Sequence, residues 1–482
     1  MMPGRIVRQL MAVVACLAVA AVCGAETTGS VGQRPNIVYI MSDDHAAHAI
    51  SAYGSRINKT PNIDRIGAEG MILANCFATN ALCAPSRATI LTGKYSHLNG
   101  VTTHGSDPFD GSQLTYPKLL QKAGYQTAMV GKWHLKSDPT GFDYWNVLPG
   151  QGAYYNPPMI ENGTRIKNEG YATDLITDYS IKFLEKRDKS KPFLLITQHK
   201  APHRPWQPDE KHAHMYEDVD IPTPDTYNDD YTSRATPAHT AKMRIEDLRE
   251  SDTKGNPPAG LTEKQVKDWK YQHFIKDYLR CIASVDDNVG RLMDYLKKEN
   301  LLDNTIVIYT SDQGFFLGDH DFFDKRFMYE ESFRTPMVMR YPGKISPGTV
   351  ISQPVMNLDI APTILQIAGA NIPDSVQGKS MLPLFSDKKA NWRDAVYYHY
   401  YEFGEHAVAP HFGVKKGKYK LIRFYKTNEN WELYDLEKDP GEVTNLYGRK
   451  EFARITRDLK AELKKQVQFY EDADAETVLR AE

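Results

Sequence analysis

Four short runs constrain this chain most. Pro35 to Met41, Gln126 to Val130, Phe193 to Thr197 and Thr305 to Tyr309 are strand-length and apolar without alternation, and each is followed by polar residues. A strand with one wet face alternates, so these need cover on both faces, and the cover between them reads as helical. Pro61 to Glu69 opens with Thr60 as cap and Pro61 in the first turn, and Tyr171 to Arg187 follows later. Ile282, Val285, Val289, Leu292 and Leu296 recur at spacings of three and four. The alternation runs to about residue 370 and predicts an α/β class, a sheet sandwiched by helices.

At 482 residues the chain has room for a second lobe. Beyond Pro383 the pattern changes: Ala395 to Tyr401, Phe412 to Phe424 and Trp431 to Tyr434 read as strands, and Phe452 to Phe469 as a closing helix. The division expected is 35–382 for the main domain and 383–482 for a smaller C-terminal α+β subdomain. Between about Gln207 and Pro258 the chain is polar, aperiodic and rich in Pro, Asp and Thr, as expected of an excursion over the surface that shapes a pocket.

Lys plus Arg number 59 against 61 Asp plus Glu, a net charge of −2, which excludes a globally basic nucleic-acid binder. Arg5 and Arg8 precede an uncharged stretch from Gln9 to Ala25 that ends in small residues. That pattern predicts a cleaved signal peptide over 1–25 and a spacer over 26–34. The competing readings are a single-span anchor, for which the run is short, and a lipid-modified export signal at Cys16 or Cys23. The mature chain is expected to be exported, periplasmic or secreted, without stable membrane insertion. Cys76, Cys83 and Cys281 remain, too few and too scattered for a disulfide framework or a CxxC zinc site. They are either buried small apolar side chains or include one special thiol.

Asp43-Asp44 follows the first strand run and Asp312-Gln313-Gly314 the last, where open α/β sheets present their ligand crevices. Ser-Asp is common in turns, but two strand ends carrying acids suggest more. Three carboxylates and an amide oxygen make a hard-oxygen site suited to Ca²⁺ or Mg²⁺. In Cys83-Ala84-Pro85-Ser86-Arg87 a helix begins, with Gly93 near its end. Cys83 would face the positive end of the helix dipole, unless this is an ordinary capped helix with a buried cysteine.

Cys83-Ala84-Pro85-Ser86-Arg87, followed by Leu91-Thr92-Gly93-Lys94, resembles the signature of the sulfatases related to alkaline phosphatase, whose Cys-x-Pro-Ser-Arg cysteine becomes formylglycine. Asp43-Asp44, Gly131-Lys132-Trp133-His134, Ala201-Pro202-His203, Asp312-Gln313-Gly314 and Lys325 before Tyr329-Glu330 follow in family order, so the resemblance spans most of residues 35 to 435. It implies a large mixed, mostly parallel sheet and the hydrolysis of a sulfate monoester. It also implies one Ca²⁺ held by Asp43, Asp44, Asp312, Gln313 and the modified Cys83. Many relatives have Asn or His where Gln313 stands. Arg87 would orient the formylglycine, and Lys132, His134, His203 and Lys325 would surround the sulfate. Asp312 would take the proton of the attacking hydroxyl, His203 with Lys325 would protonate the leaving oxygen, and His134 would assist collapse. A maturation enzyme, formylglycine-generating or anaerobic, is the implied partner.

Lys200 to Trp206 and Gly318 to Arg326 are similar to sulfatases of glycosaminoglycan sugars, most closely the N-acetylglucosamine-6-sulfatase group. Trp206, Tyr154, Tyr155 and Phe323 are candidates for stacking on sugar faces or for core anchors. Arg204, Asp319, His320 and His406 are candidates for sugar hydroxyls or carboxylates. From Lys415 to Lys426 six basic residues stand without an acid, and alternation would align Lys416, Lys418 and Lys420 as a solvated face or a guide for a polyanionic glycan. The rivals are a uronate 2-sulfatase, a phosphate or phosphonate monoester hydrolase, and a non-catalytic sulfated-glycan binder.

Overall fold

The structure, a computed structural model, describes residues 34–481 with the exception of 56, 387–389 and 428–430. The expected signal peptide over 1–25, with Cys16 and Cys23, and all but the last residue of the spacer over 26–34 lie outside the described residues.

All four apolar runs are strands of one ten-stranded sheet. In chain order its strands are β1 (Asn36–Ser42), β2 (Met71–Leu73), β3 (Gln126–Lys132), β4 (Tyr144–Leu148), β5 (Met159–Glu161), β6 (Thr164–Ile166), β7 (Phe193–Gln198), β8 (Thr305–Ser311), β9 (Met337–Arg340) and β10 (Thr349–Ile351). The spatial order is β10-β2-β9-β8-β1-β7-β3-β4-β5-β6. The central strands β8, β1, β7, β3 and β4 pair in parallel, while β9 and the β5–β6 hairpin run antiparallel to their neighbours. The sheet is therefore mixed and mostly parallel, as expected.

The absence of alternation has its physical cause in two cores. Val38 and Ile40 of β1 point into one apolar cluster, Ile37, Tyr39 and Met41 into the other. Helices α1 (Pro61–Ala68), α3 (Ala172–Lys186) and α4 (Glu263–Lys298) cover the first face; α2 (Cys83–Thr92) and α5 (Ile360–Ile367) cover the second. Thr60 stands at the N-cap position of α1, but its hydroxyl bonds Asp64 Oδ1 at 2.9 Å instead of capping a backbone N–H.

The C-terminal residues build a four-stranded antiparallel sheet, Ala395–Tyr400, His411–Lys416, Tyr419–Phe424 and Trp431–Asp435, covered by the helix Ala453–Phe469. Arg34–Glu482 clusters as one compact unit, so this sheet is a subdomain within one body.

Two expectations fail here. The excursion from Gln207 to Pro258 is no mere surface loop: Ile221, Tyr227, Tyr231, Met243, Ile245 and Leu248 are buried in the first core. Its apolar side chains are too irregularly spaced to read as an element, yet they fill the space above α4. Nor is Phe412 to Phe424 one strand, because Gly417, at φ +56°, turns it into a hairpin. The turn breaks the expected row of lysines. Lys415 reaches Glu330 at 2.7 Å, Lys416 reaches Glu462 at 2.8 Å and Lys418 reaches Glu437 at 2.7 Å. Lys420 is fully buried between Glu330 at 2.9 Å and Glu442 at 2.8 Å. These cations are already spent on acids brought in by distant parts of the chain, which leaves the segment unsuited to guide a polyanion. Lys420→Met leaves the buried Glu442 carboxylate without its cation and is expected to cost about 3–5 kcal/mol in denaturant unfolding; a loss under about 1 kcal/mol would contradict this.

Candidate active site

The site forms at the carboxyl ends of the central strands. Ser42 and Ser311 are paired in register, so the residues that follow them, Asp43-Asp44 and Asp312-Gln313, emerge side by side. Gly131 pairs with Gln198 and delivers Lys132 beside them. Only glycine fits at 131: its φ is +107°, and a Cβ would fall 1.9 Å from the Gln198 carbonyl oxygen. Gly314 is held as closely, since a Cβ there would meet the Glu331 carbonyl oxygen at 2.1 Å.

Cys83 opens α2 and Gly93 closes it at φ +67°. All ten helix residues are buried, so the dipole's positive end sits in the interior, aimed at the strand ends. Cys83 Sγ lies 3.2 Å from Asp43 Oδ1 and 3.7 Å from Gln313 Nε2. Burial first, then Asp43, pushes its thiol well above the ordinary value.

Arg87, four residues on, shares the face of Cys83. Its Nε and Nη2 donate to Asp312 Oδ2 at 3.1 and 2.9 Å, and Nη1 donates to Gln198 Oε1 at 2.7 Å. Lys132 pairs with Asp43 and Gln151. Lys325 bonds Asp44 at 2.7 and 2.8 Å. Against burial, Lys132 foremost, with His203 and Arg87, holds Asp43 well below the usual carboxylate range. Burial lifts Asp44 to about 6 and Asp312 to about 7, with Asp43 adding to both. Asp43, Asp44 and Asp312 bring oxygens within 4.8 Å of one another, and Gln313 Oε1 is buried beside them without a hydrogen-bond partner. Converging hard oxygens with an orphaned amide oxygen fit a divalent cation.

His203 Nδ1 donates to the Arg204 carbonyl at 2.7 Å, which leaves Nε2 facing Asp44 Oδ2 at 3.8 Å. Burial, then Lys132, keeps His203 well below its ordinary value, and the same two causes do so for His134. Asp44, His134, Asp324 and Arg326 all adopt positive φ between 57° and 95°. Strain of this kind collects at functional sites.

The proposed sugar contacts divide. His406 bonds the Lys242 carbonyl at 2.7 Å, reaches Asp324 at 3.2 Å and packs on Phe323 at 5.4 Å, and the Arg204 guanidinium sits 5.0 Å over that ring. Both therefore border Lys325. Trp206, Tyr154 and Phe323 are buried core anchors, and Trp206 lies 4.5 Å from Phe274, so its ring has no face for a sugar. Tyr155 is exposed but lines a separate acidic groove with Asp174, Asp209 and Asp287. His320 is also buried, held by Arg234 at 2.7 Å and Asp229 at 3.1 Å, and Asp319 pairs with His48 at 3.3 Å. Asp319 lines a different cavity of about 420 Å³ with Glu330, Glu331 and Lys415. As sugar ligands, Trp206, Asp319 and His320 are corrected. Gln198, Gln151, Lys200 and His104 join the site without having been anticipated. Gln198 ends its strand as Asp43 and Asp312 follow theirs, so the strand-end rule would have found it. Lys200 is buried over the Tyr154 ring at 4.7 Å, and burial lowers it to about 8.

Comparison with known proteins agrees with this geometry. The sulfatase family model matches residues 35–370, and a model of the N-sulphoglucosamine sulphohydrolase C-terminal region matches 318–468. The chain belongs to the sulfatase family and is a sulfuric ester hydrolase. It is 45% identical to an N-acetylglucosamine-6-O-sulfatase of Bacteroides thetaiotaomicron across 93% of this chain and 89% of that protein. It is 30% identical to the human N-acetylglucosamine-6-sulfatase across 78% of this chain and 69% of that one. A solved structure of BT4656 in complex with its substrate D-glucosamine-2-N,6-O-disulfate superposes with a TM-score of 0.89 at 44% identity, covering 92% of this chain and 99% of that one.

Arg87 ties the nucleophile helix to three strand ends through a planar fork that an ammonium cannot reproduce. Arg87→Lys is expected to lower kcat/KM on a sulfate ester by about 10²-fold while the chain stays folded by circular dichroism, since small misplacements at a reacting centre cost that much. Activity within about threefold of wild type would contradict the positioning role.

Proposed function

We propose that the chain hydrolyses a sulfate monoester on a sugar, with N-acetylglucosamine 6-O-sulfate the favoured substrate, through formylglycine made from Cys83 and with one Ca²⁺. The observation that carries this is the seat of Cys83: a buried side chain at a helix N-terminus, against Asp43, with Arg87, Lys132 and Lys325 around it. Such a thiol is poor as a thiolate nucleophile, because burial opposes its charge. The same position suits a residue whose attacking oxygen is activated by its surroundings. The sugar assignment rests on the two N-acetylglucosamine sulfatases and the glucosamine disulfate complex.

Asp43, Asp44, Asp312 and Gln313 would hold the cation. The hydrated formylglycine would supply one hydroxyl to attack sulfur and a second that, on giving up its proton, becomes the aldehyde carbonyl as the carbon–oxygen bond to sulfate breaks, and a bound cation would offset charge on the sulfate oxygens. Asp312, held by Arg87 at the nucleophile's side, takes the proton of the attacking hydroxyl. Lys132 and Lys325 draw the sulfate oxygens into a pocket whose carboxylates they otherwise neutralise. His203 is neutral in the free site; an anionic substrate opposes the fields of Lys132 and Lys325 and lets it carry a proton to the departing sugar oxygen. His134 takes the proton of the second hydroxyl as sulfate leaves. A formylglycine-generating or anaerobic sulfatase-maturating enzyme is the partner this requires, and export as a periplasmic or secreted enzyme accords with the N-terminal pattern. Among the described residues no helix is long and apolar enough to cross a membrane.

A panel of defined sulfated mono- and disaccharides, read by released sulfate, tests the substrate. N-acetylglucosamine 6-sulfate is expected to give the highest kcat/KM, and exclusive turnover of a uronate 2-sulfate would overturn that choice. Stripping Ca²⁺ from the mature protein is expected to lower its thermal midpoint by several degrees and to abolish turnover, with Ca²⁺ restoring both; an unchanged midpoint and rate would contradict the cation site.

A further inference from the structure

One half-buried group in the site has no part in the scheme above. His104 lies on the segment after α2, and its Nε2 is buried without a hydrogen-bond partner. A ring nitrogen of His104, one of His134 and Cys83 Sγ lie within 4.8 Å of one another, and the two imidazoles sit 5.3 Å apart at 56°. Around it stand Arg326, Lys325 and Lys132, with Asp324, Glu402 and Glu405 also near, and a ring N–H can donate one hydrogen bond.

The surrounding chain holds the residue in place. Ser106 Oγ accepts from the Thr102 and Thr103 backbone N–H groups at 3.1 and 3.0 Å. Asn80, three residues before Cys83, donates to the Thr102 carbonyl at 3.1 Å. Lys136, four residues after Lys132, donates to the Ser106 carbonyl at 2.8 Å. Glu402 of the C-terminal subdomain accepts the backbone N–H of His104 at 3.0 Å. The segment is thus tied to the nucleophile's approach, to the Lys132 strand end and to the second sheet, and each tie fixes where the ring lies.

Resting on the sulfatase reading and deepening it, we infer that His104 is a catalytic residue whose ring donates a hydrogen bond to a non-bridging oxygen of the sulfate being attacked. The spacing supports this. A reacting atom stands roughly 3–3.5 Å from its nucleophile, and a hydrogen bond spans roughly 2.8 Å beyond an oxygen on it. A donor within 4.8 Å of Cys83 Sγ is therefore placed to reach such an oxygen but not to replace the nucleophile. An apolar wall here would leave that oxygen one hydrogen bond short.

Two variants separate the donor from the ring. His104→Phe keeps an aromatic ring and removes the nitrogen; His104→Gln removes the ring and restores a donor at the reach of Nε2. On the mature, Ca²⁺-loaded protein, inorganic sulfate binding by calorimetry and sulfate-ester turnover are measured together, with the thermal midpoint as a check on folding. H104F is expected to weaken sulfate binding about tenfold and to lower kcat/KM by about 10²-fold, with H104Q within about fivefold of wild type in both. Sulfate binding by H104F within about threefold of wild type overturns the inference, as does equal loss in H104F and H104Q, which assigns His104 to packing. If wild-type protein binds sulfate through His104 yet turns over no sulfate ester, the hydrolytic reading fails and the sulfate contact stands.

Discussion

Buried charge organises this protein. Asp43, Asp44 and Asp312 are removed from water and held beside Arg87, Lys132 and Lys325, all buried. Isolated, any one of these groups would cost several kcal/mol to bury, so the constellation exists only because each member is paired. Pairing in turn demands that four strand ends, one helix start and the loop at Lys325 agree in position to within the length of a hydrogen bond. The sheet register supplies that agreement: β1 and β8 in step set the acids, and β3 beside β7 sets Lys132 against Gln198. The helix α2 then brings Cys83 and Arg87 down onto the strand ends from the opposite side, and its dipole adds a fixed positive field where negative charge must gather.

A site balanced in this way is poised for an anion. Three carboxylates face three cations, so a divalent ion on the carboxylates would leave Lys132 and Lys325 free to face a substrate. The C-terminal subdomain participates in the same economy. Glu402 reaches the His104 backbone, Glu405 pairs with Arg326 at 2.9 Å, and His406 meets Asp324 at 3.2 Å, so one loop of the second sheet borders the site. The first sheet supplies charge and the second supplies a wall.

Much of this was legible because it is local. Apolar runs without alternation name a sheet buried on both faces, and residues just past those runs must lie along one edge, which is why Asp43, Asp44 and Asp312 could be grouped before any fold was known. Cys83 stood out at a helix start, and the resemblance of its motif added Arg87, one helical turn on. What escaped depends on long-range closure. Trp206 and His320 carry the chemistry of ligands, but Phe274 and the Arg234–Asp229 pair, distant in sequence, consume them in the interior. The lysines from 415 to 420 read as one charged face until Gly417 folds them back and Glu330, Glu437, Glu442 and Glu462 arrive to meet them. His104 had no flanking motif; only Asn80, Lys136 and Glu402, from three separate parts of the chain, place it at the nucleophile.

The most direct test of the whole account is the mass of the Cys83 peptide from purified, active protein, taken together with its specific turnover of a sulfated sugar. The account predicts an aldehyde or its hydrate at position 83, in a fraction that tracks activity from one preparation to the next. Full turnover from material in which position 83 is still an intact thiol would contradict it.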